Sequence, residues 1–163
     1  MSRKCDYDTV DAAIRKRVEE CMNNLTKFQI NRPAHEVFEA FVDPAKIGNF
    51  WFSSSSARWE EGKNFTLIYD IYNAEVGITV HEIEVNKRIF FQWAGEENTV
   101  TITLKESNEA TTIIEVNEEG FQEDDPALVQ KMVDNKEGWV YVLCCLKGFL
   151  EHEIHTLREG LVR

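Results

Sequence analysis

The sequence predicts an α+β domain in which a bent antiparallel sheet wraps around one long C-terminal helix. From Trp139 onward, large apolar residues recur every three or four positions, as one face of a helix requires. These residues are Leu143, Leu146, Leu150, Ile154 and Leu157. Most of the preceding chain alternates between apolar and polar residues, which is typical of strands separated by short turns. Such strands form an antiparallel meander, with the helices on one face.

The N-terminal part of the chain predicts helices on both sides of a short strand. Residues 9–25 carry apolar side chains at helical steps, and Asp8 is placed to cap that helix. A strand over residues 26–30 follows. Pro33 suits the first turn of a helix that ends at Asp43, and a second short helix is expected over residues 44–50. We therefore expect an N-terminal helical extension, residues 1–25, and one main domain, residues 26–163.

The middle of the chain predicts the sheet. Apolar side chains alternate over residues 65–71, 76–80, 89–93, 100–104 and 112–116. The alternation slips at His81-Glu82, which indicates a β-bulge, and a bulge bends a sheet. Residues 86–88 have the composition of a turn. We expect Asp125-Pro126 to cap the final helical region and Gly138 to interrupt it.

Charge and cysteine usage exclude several functions. The formal net charge is −11, so nucleic acid and anionic membrane surfaces would be repelled. No apolar run is long enough for membrane insertion, and the polar first residues lead us to expect no signal peptide. The four cysteines lack the spacing of a metal site, so we expect reduced thiols and a cytoplasmic protein.

An acidic cluster precedes the final helix and is most simply a solvated loop. It consists of Glu118, Glu119, Glu123, Asp124 and Asp125. Attraction of a basic partner is the alternative interpretation.

Five segments follow one another in an order known from a protein family. They are residues 30–44, Phe50-Trp51, residues 86–93 with their final tryptophan, Glu119-Gly120-Phe121 and Gly138-Trp139. Over residues 26–157 the chain thereby resembles the domain found in activators of the heat-shock protein 90 ATPase. That family is part of the superfamily of START domains and the birch-pollen allergen. Arg32 departs from the pattern, which has a small residue before the proline.

The resemblance implies a helix-grip fold, with two short helices after the first strand and a cavity between the sheet and the C-terminal helix. It also implies a link to stress response. The residues expected to face this cavity are Trp51, Trp59, Tyr69, Val80, Trp93, Ile102, Trp139, Leu143 and Leu146. An aromatic stripe is often plain core, but the implied fold favours a ligand cavity. The expected function is non-enzymatic binding of a hydrophobic or aromatic small molecule, lipid-like or polyketide-like, without a cofactor.

Two other functions remain open. A chaperone-associated interaction module follows from the family and the acidic clusters. An enzyme of cyclase or dehydratase type would use His81 as general acid or base, although a histidine on the strand surface is the simpler interpretation. His152 and His155 are three residues apart on the predicted helix, but without a third ligand we expect them at the surface and predict no metal site.

Overall fold

A computed structural model describes residues 22–162. In this range seven antiparallel strands form one sheet, in the order β1-β7-β6-β5-β4-β3-β2. The strands are β1 (Asn24–Ile30), β2 (Ser54–Ser55), β3 (Asn64–Tyr69), β4 (Ala74–Glu84), β5 (Arg88–Trp93), β6 (Thr99–Asn108) and β7 (Thr111–Glu119). The helices are α1 (Ala34–Val42), α2 (Pro44–Ile47) and α3 (Leu128–His152). The predicted α+β class, with short helices after the first strand and a long C-terminal helix, is confirmed.

The N-terminal elements differ from the prediction mainly in their limits. The helix predicted over residues 9–25 lies largely outside the described residues. Its last two positions, Asn24 and Leu25, belong to β1, where they pair with Glu118 and Asn117 of β7. Pro33 precedes the first turn of α1 as expected. Asp43 also caps α2, because its side chain accepts a hydrogen bond from the Ala45 N–H at 2.9 Å. Helix α2 ends at Ile47, so its predicted extension to residue 50 is wrong.

The β-bulge lies where the alternation of the sequence slips. Val80 pairs with Phe91 and Glu82 pairs with Phe90, so His81 is the extra residue of β4. The bulge is confirmed, and a bulge of this kind increases the local bend and twist of a strand. Strand β3 ends at Tyr69, so the predicted position of Ile71 in that strand is wrong; Ile71 lies in a 3₁₀ turn over Asp70–Tyr72.

Helix α3 runs without interruption through Gly138 and ends at His152, so the predicted interruption and the predicted extension to Leu157 are both wrong. Glu153 adopts the left-handed conformation with φ 56°, and the Ile154 N–H donates to the Gly148 carbonyl at 3.1 Å. The chain then turns back onto the helix. A Cβ atom at Gly148 would lie 2.6 Å from the Cδ1 atom of Leu157, so the returning segment packs closely against the helix at this glycine.

The core lies between the inner face of the sheet and helices α1 and α3. Alternate residues of β4 to β7 are buried, and they contact the apolar face of α3. The largest side chains with almost no exposure are Phe41, Phe50, Phe91, Ile30, Ile47, Leu67, Ile78, Ile89, Ile102, Ile114, Leu143 and Leu146. Sheet and helix therefore share one continuous apolar cluster.

Replacing Leu143 by alanine tests the contribution of this contact. Leu143 is 0% exposed, and we expect Leu143→Ala to lower the free energy of unfolding by about 2–5 kcal/mol, because it removes buried methyl groups and leaves a cavity. The measurement is urea unfolding. Val133 on the same helix is 56% exposed, so Val133→Ala should change the free energy by less than about 0.5 kcal/mol. Equal effects of the two substitutions would contradict the packing described.

Candidate functional site: an aromatic cleft with a buried carboxylate

A cleft of about 560 Å³ lies between the sheet and α3. Its volume is within the range of roughly 300–1,000 Å³ that small-molecule sites occupy. Its aromatic lining consists of Trp51, Phe52, Tyr69, Tyr72, Trp93, Trp139 and Tyr141. Its polar lining includes Glu96, Glu118, Asp134 and Asn135. The cleft thus combines apolar walls with a few polar groups.

Four of the nine residues expected to face a cavity line this cleft. They are Trp51, Tyr69, Trp93 and Trp139. The other five do not reach it and are at most 2% exposed; they are Trp59, Val80, Ile102, Leu143 and Leu146. Their placement in a cavity wall is corrected, because in this part of the interior the sheet and α3 pack directly on each other and fill the space with side chains.

Trp51 joins the aromatic side chains of the cleft into one cluster. Its ring centroid lies 5.1 Å from that of Trp139 on α3 and 6.2 Å from that of Trp93 on β5. Phe52 lies 4.8 Å from Trp51 and 5.4 Å from Tyr69. Tilted and edge-on contacts of this kind are favourable beyond the burial of area alone. The aromatic cluster therefore positions the walls of the cleft.

Glu118 is a polar residue of the cleft that the sequence interpretation missed. It was assigned to a solvated acidic loop, but it lies on β7 and is 1% exposed. Its carboxylate accepts hydrogen bonds from the Trp139 indole N–H at 3.2 Å and from the Asn135 side-chain amide at 3.1 Å. The signal was present in the sequence, because Thr112, Ile114 and Val116 alternate toward the interior and position 118 continues that alternation.

The environment of Glu118 changes its acidity. Burial raises the pKa of this carboxyl above its usual range, since removal from water disfavours the charged form. Hydrogen bonds from the side chains of Trp139, Trp93 and Asn135 oppose that shift in pKa, and the nearby charge of Glu96 adds to it. The result is a buried acid that is held in place by neutral donors.

The segment after α3 completes one side of the cleft. Arg158 is buried, and its guanidinium donates to the Trp51 carbonyl at 2.9 Å and to the Ser53 hydroxyl at 3.2 Å. The Tyr72 hydroxyl donates to the Leu161 carbonyl at 2.8 Å, and Leu161 itself lines the cleft. The C-terminal segment is thereby tied to the aromatic cluster.

The Tyr69 hydroxyl is a neutral hydrogen-bond donor. Its hydroxyl donates to the Arg158 carbonyl at 3.3 Å. Burial raises the pKa of Tyr69 to about 12, so the hydroxyl stays protonated at neutral pH.

His81 lies outside the cleft. It is exposed on the bulge of β4, with its Nε2 atom 3.2 Å from the Gln92 side-chain oxygen and its ring 5.3 Å from that of Phe90. The bulge directs this side chain away from the inner face of the sheet. His81 therefore does not line the cleft, and its exposed position corresponds to the simpler interpretation of a histidine on the strand surface.

The other candidate ligand groups are also separated. The His155 Nδ1 atom lies 3.0 Å from the Asn49 side-chain oxygen, whereas the His152 Nε2 atom lies 3.9 Å from Glu151. Within residues 22–162, no three histidine, cysteine or acidic side chains are grouped so that they could hold a metal ion. In the same range, no helix has the length and apolarity needed to cross a membrane.

The sequence of the chain matches a known protein family over most of its length. Residues 31–151 match the family described as activator of Hsp90 ATPase homolog 1-like protein. The chain belongs to this family. No curated protein matches the chain.

Solved structures of this family's fold resemble the chain closely. The protein SSP2350 of Staphylococcus saprophyticus is 46% identical, with a TM-score of 0.73 over 82% of this chain and 94% of that one. The Aha1 protein of Colwellia psychrerythraea, solved as a dimer, is 18% identical, with a TM-score of 0.69 over 80% of this chain and 96% of that one. DynU16, from the dynemicin biosynthetic locus, is 22% identical with a TM-score of 0.71; the match covers 82% of this chain but 49% of that one. The last two likenesses show the helix-grip fold.

The raised pKa of Glu118 predicts a pH-dependent effect of Glu118→Gln. A carboxyl whose folded pKa is raised contributes stability below its unfolded pKa and loses that contribution as pH rises through the folded pKa. We therefore expect the free energy of unfolding of the variant to rise relative to that of the wild type as the pH increases above about 4, the ordinary pKa range of a glutamate.

The measurement is urea unfolding at several pH values, with Glu119→Gln as control. Glu119 is the exposed neighbour on β7, so the control makes the same change in charge outside the cleft. A stability difference for Glu118→Gln that stays constant, or that falls with pH, would contradict the burial of this group.

Proposed function

We propose that the protein binds a hydrophobic or aromatic small molecule in the cleft and releases it unchanged. The observation that carries this proposal is a cleft of about 560 Å³ with tryptophan and tyrosine walls beside a closely packed core. Interiors normally leave few voids larger than a water molecule. Aromatic rings that stay partly exposed around such a volume provide apolar surface that a ligand would remove from water.

The partial exposure of two rings supports a binding role. Tyr69 and Trp93 are only half-buried, and the apolar side chains of Ala74 and Val76 continue the same wall. A ligand that covers this wall gains free energy from burial of apolar area, at about 25 cal/mol per Å². The location in the dynemicin biosynthetic locus of the similar DynU16 also fits a small-molecule ligand.

The chemistry of the cleft favours binding over catalysis. The Tyr69 hydroxyl and the Glu118 carboxylate are both engaged in hydrogen bonds with the protein itself. Cys145 is buried, and burial raises the pKa of its thiol to about 11, so the nucleophilic thiolate is disfavoured. With His81 on the outer surface, the described part of the cleft offers no activated nucleophile beside a base.

A larger side chain in the cleft should weaken ligand binding. Val76 lines it, and we expect Val76→Phe to weaken the binding of the neutral aromatic probe N-phenyl-1-naphthylamine by about tenfold or more, since the added ring occupies the ligand's space. The probe is titrated by fluorescence. Val85 is 65% exposed in the turn between β4 and β5, so Val85→Phe makes the same substitution away from the cleft and should bind as the wild type does.

If the wild-type protein does not bind this probe or any member of a library of lipids and of neutral and charged aromatic compounds, the proposal is wrong. If Val76→Phe and Val85→Phe bind the probe equally well, the ligand occupies another surface.

A second candidate function is a chaperone-associated interaction, which the family description supports. In that case the purified protein should raise the ATPase rate of an Hsp90-type chaperone in a coupled assay. A rate that stays unchanged over a concentration series of the protein, together with no complex by analytical ultracentrifugation, would eliminate this candidate. The result is independent of the cleft, so the two candidates are tested separately.

A further inference from the structure

We propose that the ligand of the cleft is an organic cation, an apolar or aromatic amine whose charged group is received by Glu118. The proposal rests on the proposed function and specifies the chemical class of the ligand. Three observations carry it: the charges that line the cleft, the partners of Glu118 and the aromatic rings around it.

The charged lining of the cleft is entirely acidic. Glu118 lies inside, and Glu96 and Asp134 lie exposed at its border. Among the described residues that line the cleft, none is lysine, arginine or histidine. Walls of low polarity focus the field of charges with one sign, so this arrangement attracts a cation and repels a carboxylate or phosphate ligand.

The basic side chains near the cleft are engaged by other groups of the protein, and the Arg158 guanidinium lies 5.7 Å from the ring centroid of Tyr69, a residue of the cleft wall. Arg158 donates to Trp51 and Ser53 and lies 3.5 Å from Asp70. Lys131 forms an ion pair with Asp125 at 2.5 Å. Neither side chain lines the cleft, so neither takes the place that a ligand cation would occupy.

Glu118 itself has neutral partners. Its two oxygens accept from the Trp139 indole at 3.2 Å and from the Asn135 amide at 3.1 Å. The Trp93 side chain is a further neutral donor to the same carboxylate. A carboxylate has about four lone-pair positions, so three donors still leave acceptor capacity for a ligand. Burial also raises the pKa of this carboxyl, and a cation beside it would favour the ionised form. The group is therefore a buried acceptor without a countercharge.

The aromatic rings add a second attraction for the same charge. Trp139 donates to Glu118 and lies 5.1 Å from Trp51, which in turn lies 6.2 Å from Trp93. Tryptophan faces attract ammonium groups more strongly than other aromatic rings do. Indole faces beside a buried carboxylate form a site that suits an amine with an apolar body better than a fatty acid or a neutral lipid.

Three probes of nearly equal shape separate charge from apolar burial. They are 2-(1-naphthyl)ethylammonium, 2-(1-naphthyl)ethanol and 1-naphthylacetate, titrated by tryptophan fluorescence and by calorimetry at pH 7. We expect the cation to bind about tenfold or more tightly than the alcohol, and the anion to bind most weakly. Glu118→Gln should remove the preference for the cation over the alcohol. Glu119→Gln, the same change on the exposed side of β7, should retain it.

The outcomes distinguish this inference from the proposed function. If the cation and the alcohol bind equally well, the inference is overturned while the binding function stands. If none of the three probes binds, both fail. A preference that persists in Glu118→Gln would assign it to the general negative charge of the protein and overturn the role of Glu118.

A second measurement covers the case in which Glu118→Gln does not fold. The wild-type preference is measured again in 0.5 M NaCl, where exposed charges are screened but a buried pair is screened much less. The inference is supported if the logarithm of the affinity ratio between the cation and the alcohol keeps at least half of its value at low salt. Loss of the preference in salt would place its origin at the exposed border and overturn the proposal.

Discussion

The inner face of the antiparallel sheet has to be covered, and the remaining structure follows from how that cover is built. Helix α3 provides most of it, since Leu143 and Leu146 contact the alternate apolar residues of the central strands. Removing this apolar area from water is the dominant favourable term in folding. The bulge at His81 bends β4, which brings the sheet around the helix instead of leaving it flat.

Helix α3 does not cover the whole inner face of the sheet. The cleft lies where this contact between helix and sheet is incomplete. Aromatic side chains replace close packing between helix and sheet, with Trp51 at their centre. The chain after α3 returns over Gly148, and Arg158 ties it to the Trp51 carbonyl. A buried arginine that donates to a backbone carbonyl is costly to lose, because it would leave both groups unpaired. The shape of the cleft thus depends on one C-terminal segment.

The fold was predicted correctly where it depends on the local periodicity of apolar residues. The strand alternation gave correct inner residues for β5, β6 and β7, and its slip located the bulge. The end of α3 was wrong, because the contact between Leu157 and Gly148 is tertiary and cannot be seen in a helical pattern. The apolar residues Ile154 and Leu157 continue the helical spacing, yet they pack after a left-handed turn at Glu153.

For the candidate site too, the sequence predicted part of the arrangement and the tertiary structure decided the rest. The sequence by itself determined that Trp93 and Trp139 point inward. The alternation of β7 contains the same signal for Glu118, although the sequence interpretation assigned this residue to a solvated loop. Only the tertiary structure decided which of them meet empty space and which, like Ile102, are packed in the core. The physical reason is that periodicity specifies the face of an element but not its distance from the opposing layer. That distance is determined by the bend of the sheet and the return of the C-terminal segment.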